Sequence, residues 1–94
     1  MMERRYAIIT GADGGMGREI TRAVAAAGYY VIMACYNPSA AEPVRQRIAE
    51  ETGSGQLEIL QLDLASMASV SAFADTILER GIPVALLMNN AGTM

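Results

Sequence analysis

Three short, unbroken apolar runs, at residues 6–9, 30–35 and 84–88, and a fourth strand-like run at 57–62 that Glu58 and Gln61 interrupt, alternate with segments whose apolar residues recur at helical spacing. Strands read as solid apolar runs when helices cover both faces of the sheet, which is the situation of parallel strands. Between the first two runs, Ile20, Ala23, Val24 and Ala27 mark one helical face, and Gly28 offers a C-terminal cap. Asn37-Pro38-Ser39 then reads as a turn before a polar helix that ends near Thr52, with Val44 and Ile48 inward. Proline is tolerated only in a first helical turn, so Pro43 leaves the start of that helix open. Ser66 caps a third helix with Val70, Phe73, Ala74, Ile77 and Leu78 on one face, closed by Gly81. Strands separated by such helices require right-handed crossovers, so the chain is α/β with the order βαβαβαβ in a doubly wound parallel sheet. The expected strand order is 3-2-1-4, with a ligand crevice above the carboxyl ends of strands 1 and 4, where the winding reverses.

Ninety-four residues, 52% of them hydrophobic, suit one domain with a packed core. The net charge of -3 argues against a nucleic-acid or anionic-membrane partner held by general electrostatics, and there is no basic run. Only a short apolar run precedes Thr10, too little for a signal-peptide core or a membrane span. Cys35 is the one cysteine, which excludes an internal disulfide and fits a reducing compartment, with the cytoplasm as default. Lying in an apolar run in a chain without histidine, Cys35 reads as a buried small side chain rather than a nucleophile, and no metal-ligand set exists.

The first apolar run leads directly into TGADGGMG, residues 10–17. Unpaired backbone N–H groups and the positive end of the helix dipole can hold a pyrophosphate at a helix N-terminus, provided no Cβ blocks the approach. On that reading Gly11 makes the tight exit from the strand, Gly15 lets the backbone meet the ligand, and Gly17 lets the helix lie close to strand or cofactor. A plain glycine turn joining strand to helix remains the alternative. The spacing, G-x-x-x-G-x-G, resembles the T-G-x-x-x-G-x-G fingerprint of the short-chain dehydrogenase/reductase family, matched at Thr10, Gly11, Gly15 and Gly17. Two more of that family's motifs fall in register: Asp63 within LDLASMASVSAFA after strand 3, and N-N-A-G at residues 89–92 after strand 4. The wording around Asp63 is most similar to retinol dehydrogenase-like and related NADP-using members.

The resemblance implies a Rossmann-like fold and a nicotinamide dinucleotide. It places Gly11, Asp13, Gly14, Gly15, Met16 and Gly17 around the phosphates, and Tyr36 and Asn37 at the adenosine ribose. The Asp63 carboxylate would accept a hydrogen bond from the adenine amino group, and the Leu64 backbone would touch the ring. Asn90, Ala91 and Gly92 would line the nicotinamide-side ribose, while Thr10 and Asn89 tie strands 1 and 4 together. Without the resemblance, Asp63 reads as a helix-leading acid and the asparagines as a polar stop to a buried strand. An acid at the end of strand 2 marks NAD, and an Arg nearby accommodates the 2′-phosphate of NADP. Cys35, Tyr36 and Asn37 supply neither, and Tyr36 falls where similar NADP-using proteins often carry Arg. The missing acid favours NADP over NAD, with Arg18 or Arg45 as candidates to meet its phosphate, although Arg18, Arg45 and Arg47 read more readily as solvated helix surface.

Members of that family move a hydride between nicotinamide and a carbonyl or alcohol, using a Tyr, a Lys four residues later and an upstream Ser, all beyond N-N-A-G. None of Tyr6, Tyr29, Tyr30 and Tyr36 has a lysine four residues on, and the chain has no lysine. The expectation is therefore a single NAD(P)-binding domain over residues 1–94, the front part of a longer oxidoreductase, with no catalytic residue of its own. A small carbonyl or alcohol substrate would need the C-terminal half. The open edge beside strand 4 points to a homo-oligomer. Two rivals stand: an S-adenosylmethionine-binding methyltransferase, which wants a denser G-x-G-x-G and an acid after strand 2, and a non-catalytic dinucleotide-binding or interaction module.

Overall fold

The computed structural model describes residues 4–90. In chain order the elements are β1 (Tyr6–Thr10), α1 (Gly15–Ala26), β2 (Tyr30–Cys35), α2 (Pro38–Thr52), β3 (Leu57–Gln61), α3 (Met67–Glu79) and β4 (Val84–Asn89). All strand pairs are parallel, in the order β3-β2-β1-β4. The predicted topology is the observed one. Register brings Thr10 level with both Ala34 and Asn89, and Cys35 level with Gln61, so the strands end along one edge.

Alternate residues of each strand face opposite layers. Ile9, Val31, Met33, Cys35 and Leu57 pack with Ala25 of α1 and Ala41 and Ile48 of α2. Ile8, Ile32, Ala34 and Leu62 form the other layer, covered by Val70, Phe73 and Ile77 of α3.

The helices depart from the expected faces in three places. The fully buried positions of α1 are Gly17, Thr21 and Ala25, with Ile20 and Val24 only partly covered and Ala23 and Ala27 exposed. The packing stripe is set by small residues that let the helix sit close to the sheet, and the Thr21 hydroxyl donates to the Ala12 carbonyl at 3.4 Å. In α2 the expected turn at Asn37-Pro38-Ser39 is the helix start itself. Asn37 is the N-cap, its side chain accepting from the Ala40 N–H at 3.3 Å, and Pro38 is the first helical residue, where a proline loses no bond. Pro43 consequently lies inside the helix, in its second turn, rather than in the first. In α3, Val70, Phe73 and Ile77 turn inward as expected, whereas Ala74 is exposed and Leu78 is 77% exposed. Leu78 and Leu87 of β4 line an apolar groove of about 470 Å³, because no described element covers β4 on that side.

The edge strand β3 is pinned to the end of α3 by Arg80, which donates from both terminal nitrogens to Glu58 at 2.7 and 2.8 Å. The Tyr30 hydroxyl also donates to Glu58 at 2.9 Å. The Arg80 guanidinium holds the Glu58 carboxyl below its ordinary range, with Tyr30 adding to it against the opposing effect of burial. A lowered carboxyl contributes stability above its unfolded value, about pH 4.3, and that contribution is lost as pH falls through the folded one. Glu58→Gln should therefore lower the melting temperature at pH 6 by an amount worth about 1 kcal/mol or less and make no difference near pH 3. Thermal melts of both chains at the two pH values check this.

Candidate functional site

Gly11 leaves β1 with φ of 60°, a left-handed conformation open to glycine, and its N–H donates to the Ala34 carbonyl at 3.0 Å. The Gly14 N–H then closes on the Gly11 carbonyl at 3.4 Å, and Gly14 becomes the extended N-cap of α1. No side chain caps this helix and its first turn carries no acid. The helical ladder begins with the Arg18 N–H on the Gly14 carbonyl at 2.7 Å, so the N–H groups of Gly15, Met16 and Gly17 precede it. A Cβ on Gly14 or Gly15 would meet nothing within 4 Å. The space above the loop is open on the side where a helix N-terminus attracts an anion.

Gly17 has a different task. A Cβ there would stand 1.9 Å from the Gly11 carbonyl oxygen and 2.8 Å from the Asn90 side-chain nitrogen. Its lack of a side chain lets α1 fold back onto its own loop. Asn90 seals the same spot, donating to the Gly11 carbonyl at 3.3 Å, and the Thr10 hydroxyl donates to Asn89 at 3.1 Å. Strands β1 and β4 are tied at their carboxyl ends, the role expected of Thr10 and Asn89.

A cleft of about 250 Å³ runs from this loop across the sheet edge, lined by Thr10, Gly11, Asp13, Ala34, Tyr36, Leu62, Asp63, Leu64 and Ala65. Asp63 is fixed there: its N–H donates to the Ser69 hydroxyl at 2.8 Å and its carboxylate accepts from the Ala65 N–H at 3.0 Å. Ser66 caps α3 by accepting from the Ser69 N–H at 3.1 Å. Ser69 is a positioning residue that sequence reasoning missed; its signal was a serine three places after a cap serine, both of which the loop needs. Ala34 likewise went unnoticed because only its level with Thr10 makes it a wall of the cleft.

The structure thus brings Gly11, Asp13, Tyr36, Asp63 and Leu64 into one cleft, while Gly14, Gly15 and Met16 lie exposed at the start of α1 and Gly17 is buried against the Gly11 carbonyl. Asn90 touches the loop from below, and Asn37 is turned to cap α2. Ala91 and Gly92 lie outside the described residues. Cys35 is buried, its thiol pushed up to about 12 by burial and then by the neighbouring Asp13 carboxylate, so it is no nucleophile. Of the candidate cations, Arg45 donates to both oxygens of Glu42 at 2.9 and 3.1 Å. Arg18 donates to the Asp13 carbonyl at 3.4 Å and lines a hollow of about 100 Å³ with Val44 and Arg47.

A doubly wound parallel sheet whose glycine loop opens at the reversal of winding is a Rossmann-like fold. The short chain dehydrogenase profile matches residues 5–94, and the chain belongs to that family. It is 43% identical to a polyprenol dehydrogenase of Mus musculus over 90 residues, which cover 96% of this chain and 27% of that protein. A menthone neomenthol reductase from Mentha piperita superposes with a TM-score of 0.84 at 35% identity, covering 98% of this chain and 33% of the other. The N-domain of a bacterial malonyl-CoA reductase, solved with NADP, superposes with a TM-score of 0.83 at 30% identity, covering 95% of this chain and 17% of the other. This chain therefore spans about a third or less of the length of these relatives and carries the cofactor-binding region of their family. Among the described residues no helix is long and apolar enough to cross a membrane.

Proposed function

We propose that residues 1–94 form one dinucleotide-binding domain, the N-terminal part of an oxidoreductase that transfers hydride between a nicotinamide and a small carbonyl or alcohol. The carrying observation is the uncapped, acid-free start of α1 above two glycines with open space over them, continuous with the cleft that ends at Asp63. The first-turn N–H groups of Gly15, Met16 and Gly17 would hold the pyrophosphate, Asp63 and Leu64 the adenine, and Tyr36 and Asn37 the adenosine ribose. Asn90, with Ala91 and Gly92, would reach the nicotinamide-side ribose. The dinucleotide supplies the hydride; this chain binds and orients it. Judged by Tyr36 and Asn37 alone, which bring no carboxylate, NADP is the favoured form. The buried free thiol of Cys35 suits a reducing compartment such as the cytoplasm. Exposed Leu78, Val84 and Leu87 support a homo-oligomer as the working form.

Titration with NADH and NADPH, followed by ligand fluorescence, tests the reading. Gly15→Val should keep the wild-type circular dichroism spectrum and weaken binding by about tenfold or more, because its branches fill space that only a ligand needs. Equal affinity in the variant would reduce TGADGGMG to a turn.

A further inference from the structure

We propose that Asp13 sets the cofactor choice: its carboxylate receives the adenosine ribose hydroxyls of NAD and repels the 2′-phosphate of NADP. The proposal rests on the dinucleotide reading above, and it reverses the preference drawn from Tyr36 and Asn37, which counts only residues that follow β2 in the chain.

Position in space decides otherwise. Asp13 belongs to the glycine loop, yet it lines the same cleft as Ala34, Tyr36 and Asp63. Its carboxylate lies beside the thiol of Cys35, the last residue of β2. An acid reaching over from the loop thus arrives where an acid carried by strand 2 would bind the ribose. A carboxylate offers two acceptor oxygens and no donor, which matches the two hydroxyls of a ribose diol and matches nothing on a phosphate dianion.

The charge is also uncompensated. Among the described residues none of the ion pairs includes Asp13. Arg18, the cation that touches this loop, donates to the Asp13 backbone carbonyl rather than to its carboxylate, and Arg45 is occupied by Glu42. Asp63 adds a second carboxylate to the cleft wall. A 2′-phosphate would bring about two further negative charges into that space.

The test is equilibrium titration of the 94-residue chain with ADP-ribose and with 2′-phospho-ADP-ribose at fixed low ionic strength, for wild type and Asp13→Asn. Wild type should bind ADP-ribose more tightly by about tenfold or more. Asp13→Asn should shrink that ratio by about tenfold, chiefly through tighter binding of the phosphorylated probe, and the shift should fade as salt is raised. The wild-type ratio reads the proposal even if the variant folds poorly. Wild type that binds 2′-phospho-ADP-ribose as tightly as ADP-ribose, or an unchanged ratio in a folded Asp13→Asn, overturns it while leaving the dinucleotide reading intact. Binding of neither probe overturns both.

Discussion

Gly17→Ala is expected to cost the chain its folded loop and its ligand together, lowering stability by about 3 kcal/mol or more. The added Cβ would stand 1.9 Å from a backbone oxygen, not from a flexible side chain that could swing aside. Relief requires either lifting the start of α1 off the loop, which exposes the buried Thr21 and Ala25 stripe, or moving Gly11, which is held by its bonds to Ala34 and Asn90. The loss is a large share of the roughly 5 to 15 kcal/mol that hold a domain together. A circular dichroism melt reads it directly. Gly15→Val is the contrasting variant, since it loses ligand without losing the fold. A Gly17→Ala chain melting within about 2 °C of wild type would mean that α1 does not rest on the Gly11 carbonyl.

The second large effect concerns turnover: the purified 94-residue chain, saturated with NADPH or NADH, should reduce no aldehyde or ketone above the uncatalysed rate. Delivery of hydride to a carbonyl needs a proton for the new alkoxide, and positioned acid–base assistance is worth about 10²- to 10⁴-fold before orientation is counted. The chain contains no lysine and no histidine. Tyr36, the tyrosine at the cleft, is 72% exposed, and no described cation pairs with its hydroxyl. Absorbance at 340 nm with a carbonyl panel is the measurement, and oxidation of cofactor by the chain alone would place acid–base chemistry within these residues.

The sheet was legible in the sequence because β1 and β2, covered on both faces, leave solid apolar runs, and because Gly28 and Gly81 punctuate the helices where the φ values of 97° and 62° need them. The packing face of α1 was not, since Gly17, Thr21 and Ala25 carry little hydrophobic signal and are chosen for closeness rather than for transfer from water. The start of α2 was hidden by a proline pair whose members do opposite things, Pro38 opening the helix and Pro43 surviving within it. Motif spacing located Gly11, Asp63 and Asn90, each separated by long stretches of chain. It said nothing of Asp13 meeting the end of β2, because that encounter depends on how the loop folds over the sheet edge.

The tie between Thr10 and Asn89 joins positions 79 residues apart in the chain, while β1 finds β2, and β2 finds β3, within single strand–helix–strand units. Closing the longer loop has the larger entropic cost, and β4 has no fully buried residue to offset it. β4 is therefore expected to exchange its backbone amides faster than β1 and β2, and amide hydrogen exchange is the measurement that checks this. An opening of β4 would also remove the Asn90 hydrogen bond to the Gly11 carbonyl. A molecule bound at the glycine loop would then slow the fraying of β4, because Asn90 at the end of that strand donates to the loop's Gly11 carbonyl.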